Sequence, residues 1–437
     1  MPASPSTSIP ASRLALLTGV TREERPALAW SFFYFFSLLC AYGLLRPLRE
    51  EMGVRHGVNK LQWLFSGTFA CMLLAQPLYG ALVSRFERRI FLPVVYGFFI
   101  ACLLGFYVVF RLDRGMTVAV PAFFIWVSVF NLFVVSVFWS FMSDIFTSEE
   151  AKRLYGIIAA GGTCGALAGP ALTALLVQRV GVPQLMLISA LLLVGALVAI
   201  VRLLPWATQR RGADTAIGGT VLAGARLVAG SPFLRAIAGL LLLYVTVNTI
   251  LYYQQAAVVA AAFTDSAARA AYFARIDFAV NALTVVTQVV VTRVLLTRFG
   301  VTPLLMLSPL LVAAGFAWLA SAPGPLLLAG IQIVHRAGNF SLIAPARESL
   351  FTRVDRESRY KAKAFIDTAI YRGGDLVVGW CMAVVTSMKL PLGQVALIGL
   401  VVACVWALLG WRVGRTHDAH LAAAAPPSTS SARPVVS

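Results

Sequence analysis

Charge is scarce in this chain. Only 18 of its 437 residues are acidic, and charged residues of both signs make up just 12%. Few soluble proteins of this length could keep so much apolar surface away from water. Histidine (4) and cysteine (6) are equally rare. Cys40, Cys71, Cys102, Cys164, Cys381 and Cys404 each sit in an apolar run, with no Cys-x-x-Cys spacing and no histidine beside them. That excludes a zinc site and a disulfide framework, and leaves the cysteines as small packing residues. The chain has no His-Glu-x-x-His, no aspartate-rich metal motif and no Ser/His/Asp constellation. It has no Gly-Lys-Ser/Thr phosphate loop either, so a nucleotide would not serve as fuel. The reading is a non-enzyme with no cofactor and no metal. No Ala-x-Ala site follows the first apolar run, so no cleaved signal peptide is expected.

What the chain has in abundance is long apolar runs. Hydrophobic residues make up 59%, and runs of about 20 residues, the length that crosses a bilayer core, recur along it. They predict spans at 27–46, 63–84, 90–110, 118–142, 154–178, 184–204, 233–254, 273–295, 302–320, 325–345, 362–388 and 391–411. The fold class expected is an all-α polytopic membrane protein of about twelve transmembrane helices in two pseudo-symmetric six-helix bundles. Residues 1–26 form an N-terminal segment, 27–204 the first bundle, 205–232 a linker, 233–411 the second bundle and 412–437 a disordered tail.

The net charge of +18 would suggest nucleic acid in a soluble protein. Here the Arg and Lys residues are spread through the loops, where they set orientation and meet anionic lipid. Dense groups occur at Arg85/Arg88/Arg89, at Arg202/Arg210/Arg211/Arg226/Arg235 and at Arg347/Arg353/Arg356/Arg359/Lys361/Lys363. By the positive-inside rule both termini are cytoplasmic, in a bacterial inner membrane. Partners expected are the bilayer and a small, anionic solute, with no nucleic acid, and the chain acting as a monomer.

The two halves share short echoes. Ser84-Arg85-Phe86 and Pro93 follow span 2; Thr297-Arg298-Phe299 and Pro303 follow span 8. Ile145-Phe146-Thr147 precedes Gly161-Gly162; Leu350-Phe351-Thr352 precedes Gly373-Gly374. Two parallel six-helix halves with a site at the midplane resemble the architecture of major facilitator transporters. Gly80-Ala-Leu-Val-Ser84-Arg85-Phe-Glu87-Arg88-Arg89 resembles that superfamily's loop between spans 2 and 3, with Ser84 where the pattern has Asp and Glu87 where it has Gly. The resemblance implies a gating role for Arg85, Arg88 and Arg89; plain inside-positive anchoring is the alternative. Gly161, Gly165 and Gly169, four apart before Pro170, form a small-residue face for close helix approach. They also resemble a superfamily motif of antiporters. Thr147-Ser-Glu-Glu150 fits a capping box.

An ionised side chain at mid-bilayer costs ~2.5–3.5 kcal/mol on insertion scales, so each one is a functional candidate. Span 10 carries His335, Arg336 and Asn339, with Arg336 close to the midplane. A cavity-facing Arg336 would hold an anion; a structural pair with an acid is the alternative. Span 11 carries Asp367, Tyr371 and Asp375 at i, i+4 and i+8, with Arg372 between them. Arg372 and Asp375, three apart, could neutralise each other, or the acids could partner Arg336 and leave Arg372 for substrate. A buried acid here could also carry a coupling proton. Arg46, Arg49 and Glu50 share one face at the end of span 1, with snorkelling to the outer boundary as the alternative. Span 7 is polar, with Tyr244, Thr246, Asn248, Thr249, Tyr252, Tyr253, Gln254 and Gln255, and is expected to present a lumen-facing stripe.

Two stretches resemble a narrower family. One runs from Trp126-Val-Ser128-Val-Phe-Asn131 through Val137-Phe138-Trp139-Ser-Phe-Met-Ser-Asp144 to Thr147-Ser-Glu-Glu150-Ala-Lys152-Arg153-Leu-Tyr155-Gly156. The other runs from Tyr360-Lys-Ala-Lys363-Ala-Phe-Ile366-Asp367 to Arg372-Gly-Gly374. Both are similar to the ATP/ADP translocases of plastids and intracellular bacteria and their free-living relatives. Leu45-Arg46 to Glu50 is similar to the family's Leu-Arg-x-x-Lys-Asp, with Arg49 at the Lys position and Glu50 at the Asp position. The resemblance implies a nucleotide exchanger. The candidate substrate-binding residues are Arg46, Arg49, Asn131, His335, Arg336, Asn339, Tyr371 and Arg372. Glu50, Asp367 and Asp375 are candidates for coupling or charge balance, and Asp144, Lys152 and Arg153 for the conformational loop. The family's charges include a Glu on span 4, where Val129 stands here, and a Lys on span 11, where Asp375 stands. The expected function is a secondary transporter working by alternating access on a nucleotide or another organic anion. A proton-coupled exporter and a non-transporting assembly factor or sensor are the alternatives.

Overall fold

The computed structural model describes residues 20–208, 221–354, 361–363 and 365–424; the side chains of 76–85, 88, 208, 221–223 and 421–424 fall outside the description. Among these residues there are helices and turns and no strand. In chain order the helices are α1 (Glu24–His56), α2 (Leu61–Arg85), α3 (Arg88–Leu112), α4 (Met116–Ile145), α5 (Ser148–Val180) and α6 (Val182–Thr208). Then come a short α7 (Val221–Gly230), α8 (Pro232–Ala262), α9 (Ser266–Phe299), α10 (Thr302–Ser321), α11 (Pro325–Phe351), α12 (Tyr371–Ser387) and α13 (Leu392–Ala424). Ten of them are long and apolar enough to cross a membrane, judged on the described residues. α2, with 25 residues, and α12, with 17 behind a five-residue π turn, stand where the sequence predicts the other two spans. Large apolar side chains such as Leu74, Val118, Leu191, Val289 and Leu326 point outward, as a bilayer-facing surface requires.

Several boundaries differ from expectation. α1 continues ten residues past Arg46, to His56. Arg46, Arg49 and Glu50 therefore lie inside a helix and do not snorkel from its end. α11 runs past 345 to Phe351. The tail expected to be disordered from 412 is helical to Ala424. Asp418 fixes it, accepting from the backbone N–H of Val301 and Thr302 and from the Thr302 hydroxyl at 2.6–3.1 Å, so that the last helix caps the start of α10. Residues 1–19, 209–220 and 425–437, which include part of the expected N-terminal segment, linker and tail, lie outside the described residues, as do Arg356 and Arg359.

The chain forms two compact units, one of Met1–Ala216 with Val259–Asn281, the other of Ile217–Val258 with Ala282–Ser437. In the first unit, α1 and α5 meet through the glycine face the sequence predicts. A Cβ at Gly161 would fall 2.6 Å from the Phe32 carbonyl oxygen, and one at Gly169 2.6 Å from that of Cys40. Only hydrogen fits there. Aromatic rings fill the rest of this core. Phe35 stacks on Phe138 with centroids 4.1 Å apart, Trp126 stacks on Phe130, and Tyr34 and Tyr96 share a hydrogen bond at 2.5 Å.

The second unit is distinguished by three π turns: Gln288–Thr292 within α9, Asn339–Ile343 within α11 and Ile366–Ile370 ahead of α12. A π turn holds one more residue than the α-helix it interrupts and leaves backbone carbonyls poorly matched. Side chains supply the missing partners. Thr292 Oγ1 donates to the Ser341 carbonyl at 2.7 Å, and Gln288 Nε2 to that of Phe340 at 3.2 Å. The π turns of α9 and α11 are thereby stitched together.

Candidate functional site

In the first unit the ionisable residues of α1 find partners far along the chain. Glu51, 0% exposed, accepts from Arg269 Nη2 at 2.9 Å and Nε at 3.3 Å. Arg46 lies 3.7 Å from Asp277. Arg49 donates to Glu50 and to the Ser128 hydroxyl, both at 2.8 Å, and its guanidinium sits 4.0 Å above the Phe124 ring. Arg46, Arg49 and Glu50 thus enter two ion pairs, Arg46–Asp277 and Arg49–Glu50, beside the Arg269–Glu51 pair of the same unit. Asn131, half-buried on α4, takes no part in them. Asn281 Nδ2 donates to the Ala166 carbonyl at 2.8 Å. An acid in the apolar eighth span was the available sequence signal for Asp277.

In the second unit, His335 and Arg336 are adjacent on α11 but have separate fates. His335 is 0% exposed. Its ring stacks on Tyr244 at 4.8 Å and meets the edge of Trp406 at 5.7 Å. It is a packed residue of the unit's interior. Arg336 keeps 8% exposure. Tyr244 also faces Tyr371 at 6.3 Å, and the Arg372 guanidinium lies 5.1 Å from the Tyr371 ring. Arg372 pairs with Asp375 at 3.6 Å, and Asp375 accepts from Thr249 at 3.4 Å. The local pairing between Arg372 and Asp375, one of the two the sequence offers, is formed.

Asp367 stands apart from that group. It lies in the π turn Ile366–Ile370, which breaks the i, i+4, i+8 register expected with Tyr371 and Asp375, and it pairs with Arg347 at 3.2 Å. Lys363 beside it pairs with Glu348 at 2.6 Å. Asn339 opens the π turn of α11. The polar stripe of α8 departs from its expected orientation. Tyr253 donates to the Gly379 carbonyl and Gln254 to that of Leu392, and both are buried. They join α8 to its neighbours, as a desolvated donor must, and only Asn248, Thr246 and Tyr252 of the stripe stay half-exposed.

Of the loop residues, Arg85 and Arg88 have side chains outside the description, and Arg89 is exposed. Lys152 pairs with Glu149 and Arg153 with Glu24, each at 2.8 Å. The capping box forms as expected: Thr147 accepts from the Glu150 N–H, and the Glu150 carboxylate accepts from the Thr147 N–H at 2.8 Å. Asp144 lies one turn before that cap, at the end of α4.

The sequence pattern of the Major Facilitator Superfamily matches residues 27–374. The chain belongs to the major facilitator superfamily. Its fold is similar to that of solved superfamily transporters. The nucleoside transporter NupG aligns with a TM-score of 0.62 at 16% identity, over 90% of this chain and 99% of that one. A point mutant of NupG aligns equally well, at 17% identity over 89% and 99%. A bacterial homologue of the human lysosomal transporter Spinster, in an inward-facing and unoccupied conformation, aligns with a TM-score of 0.56 at 13% identity, over 92% and 99%. No curated protein matches the chain. Charges within membrane-spanning segments are candidates for a functional role. The first unit's charges and Arg336 and Arg372 of the second lie within the matched residues, and Asp375 lies one residue beyond them. Among the described residues no cluster of three or more His, Cys, Asp or Glu could hold a metal ion.

Proposed function

We infer that this major facilitator protein is a secondary transporter that exchanges a nucleotide, or an organic anion of similar build, by alternating access. The observation that carries this reading is the Arg372–Asp375 pair at 3.6 Å, set beside Tyr371 and in the same unit as Arg336. A guanidinium already balanced by an acid can be handed to an incoming phosphate or carboxylate, which it binds through two parallel hydrogen bonds. Arg336 adds positive charge, and Tyr371 offers an aromatic face to a base. The nucleoside named for NupG and the likeness to ATP/ADP translocases both favour a cargo with a nucleobase. Asp375, standing where those translocases have a Lys, makes the site less positive and favours a less charged member of that class. The chain sits in the bacterial inner membrane with both termini cytoplasmic, an orientation that the distribution of Arg and Lys supports.

The test is counter-exchange in proteoliposomes preloaded with ADP, following uptake of labelled ATP. Uptake that depends on internal ADP and disappears in Arg336→Ala and Arg372→Ala supports the reading. Wild-type rates in Arg336→Ala would remove that residue from the site. A second reading, a proton-coupled carrier, is favoured by the buried acids Glu51 and Asp277. It predicts uptake driven by an imposed pH gradient with nothing preloaded.

A further inference from the structure

On the linker side of the second unit a cavity of about 560 Å³ opens between α7, the start of α8 and the turn after α11. Its lining includes Arg226, Leu227, Phe233, Leu234, Arg353 and Val354. Nothing in the transport reading uses it. α7 is held in place by close approach, since a Cβ at Gly224 would fall 2.7 Å from the Cβ of Phe365.

Among the described residues, nothing neutralises the positive charge of this cavity. The Arg353 guanidinium is laid over the Phe233 ring at 4.7 Å, and its Nη1 is buried with no hydrogen-bond partner. Arg226 projects from α7 and is exposed. Neighbouring charges are already engaged. Arg347 is taken by Asp367, Lys363 by Glu348, and Arg235 donates to the Ala229 carbonyl at 3.1 Å. Neither Arg226 nor Arg353 has an ion-paired acid among the described residues. A buried donor left unmatched is costly, and a fixed guanidinium fork fits a phosphate better than any other common anion. The remaining wall of Leu227, Phe233, Leu234 and Val354 is apolar. Two arginines against an apolar wall match an amphiphile that carries a phosphate. Basic pockets between helices on the positively charged side of a membrane protein meet the leaflet richest in such molecules.

We propose that this cavity is a binding site for the phosphate group of an anionic phospholipid, separate from the transport site, with Arg226 and Arg353 as its ligands. The lipid would tie the linker helix α7 to α8 and to the end of α11.

The experiment uses the full chain, purified in detergent, titrated with short-chain phosphatidylglycerol, short-chain phosphatidylcholine and inorganic phosphate, and read by native mass spectrometry and thermal stability. Phosphatidylglycerol is expected to bind and to raise the melting temperature, and phosphatidylcholine to do neither. Arg226→Gln and Arg353→Gln should each weaken binding about fivefold, and the double variant about thirtyfold. Arg353→Lys, which keeps the charge and loses the fork, should fall between wild type and Arg353→Gln. Arg179→Gln, an exposed arginine at the end of α5, should bind like wild type and shows whether charge alone matters. Displacement of phosphatidylglycerol by inorganic phosphate at similar concentration would keep the anion site but identify a soluble phosphate as its occupant. Equal binding of the two lipids, wild-type affinity in a folded double variant, or no binding of either anion would overturn the proposal.

Discussion

Arg269 and Glu51 show what a buried ion pair demands of the chain around it. Glu51 is wholly enclosed, so losing its partner would strand a charge in a medium that cannot solvate it. Arg269→Ala is expected to cost about 3–5 kcal/mol, measured as a fall in thermal stability of the purified protein. The double replacement Glu51→Leu with Arg269→Met, which removes both charges and keeps the volume, should restore most of it. Asp375 makes the opposite prediction. Asp375→Asn releases Arg372 for cargo, and the KM for an anionic substrate should fall about tenfold, the equivalent of one charge-assisted contact of ~1.4 kcal/mol. An unchanged KM would mean that Arg372 does not meet the cargo. At this scale, what could be read from the sequence was what is local. The Thr147–Glu150 cap and the Arg372–Asp375 pair lie three residues apart, and helical geometry alone brings them together. Arg269 and Glu51 are 218 residues apart, and no periodicity connects them.

Among the elements, α5 and α11 mark the two extremes. The glycines of α5 were legible because spacing of four on a helix states a face outright. Gly169→Leu would drive a side chain into the Cys40 carbonyl and the Gly43 backbone of α1. It should destabilise the first unit by at least about 1–3 kcal/mol, whereas Gly156→Ala, with open space around it, should leave the melting temperature unchanged. The π turns were not legible. Each adds one residue to an otherwise regular helix, so it breaks a hydrophobic period without leaving a compositional mark. It also carried Asp367 out of the stripe assigned to it. One spare residue is worth about 100° of rotation in the helix beyond it. Deleting Phe340 would turn the α11 π turn into plain α-helix and rotate Arg336 relative to Arg347. Such a variant is expected to keep its helical circular dichroism and lose transport.

For the whole molecule, the polytopic all-α fold and the positions of ten spans were legible in the sequence, because a bilayer admits few solutions for an apolar run of that length. Helix ends were less legible, since α1 and α13 carry charged residues past the apolar run once partners such as the buried Asp277 and the half-buried Thr302 receive them. Sidedness can be tested directly. In a cysteine-free background, Arg114→Cys should react with a membrane-impermeant thiol reagent from outside intact cells, and Ser231→Cys only after permeabilisation. The reverse pattern would invert the topology. The division into units has one more consequence. The backbone passes from one unit to the other at 216/217 in the linker, at 258/259 within α8 and at 281/282 within α9. The linker is therefore only one of three covalent crossings, and cutting it would not make the protein fall into two pieces. Residues 1–212 and 213–437, expressed as separate polypeptides, should reassemble and co-purify, with the hairpin of the second fragment clasped to the first by Glu51, Arg46 and Ala166.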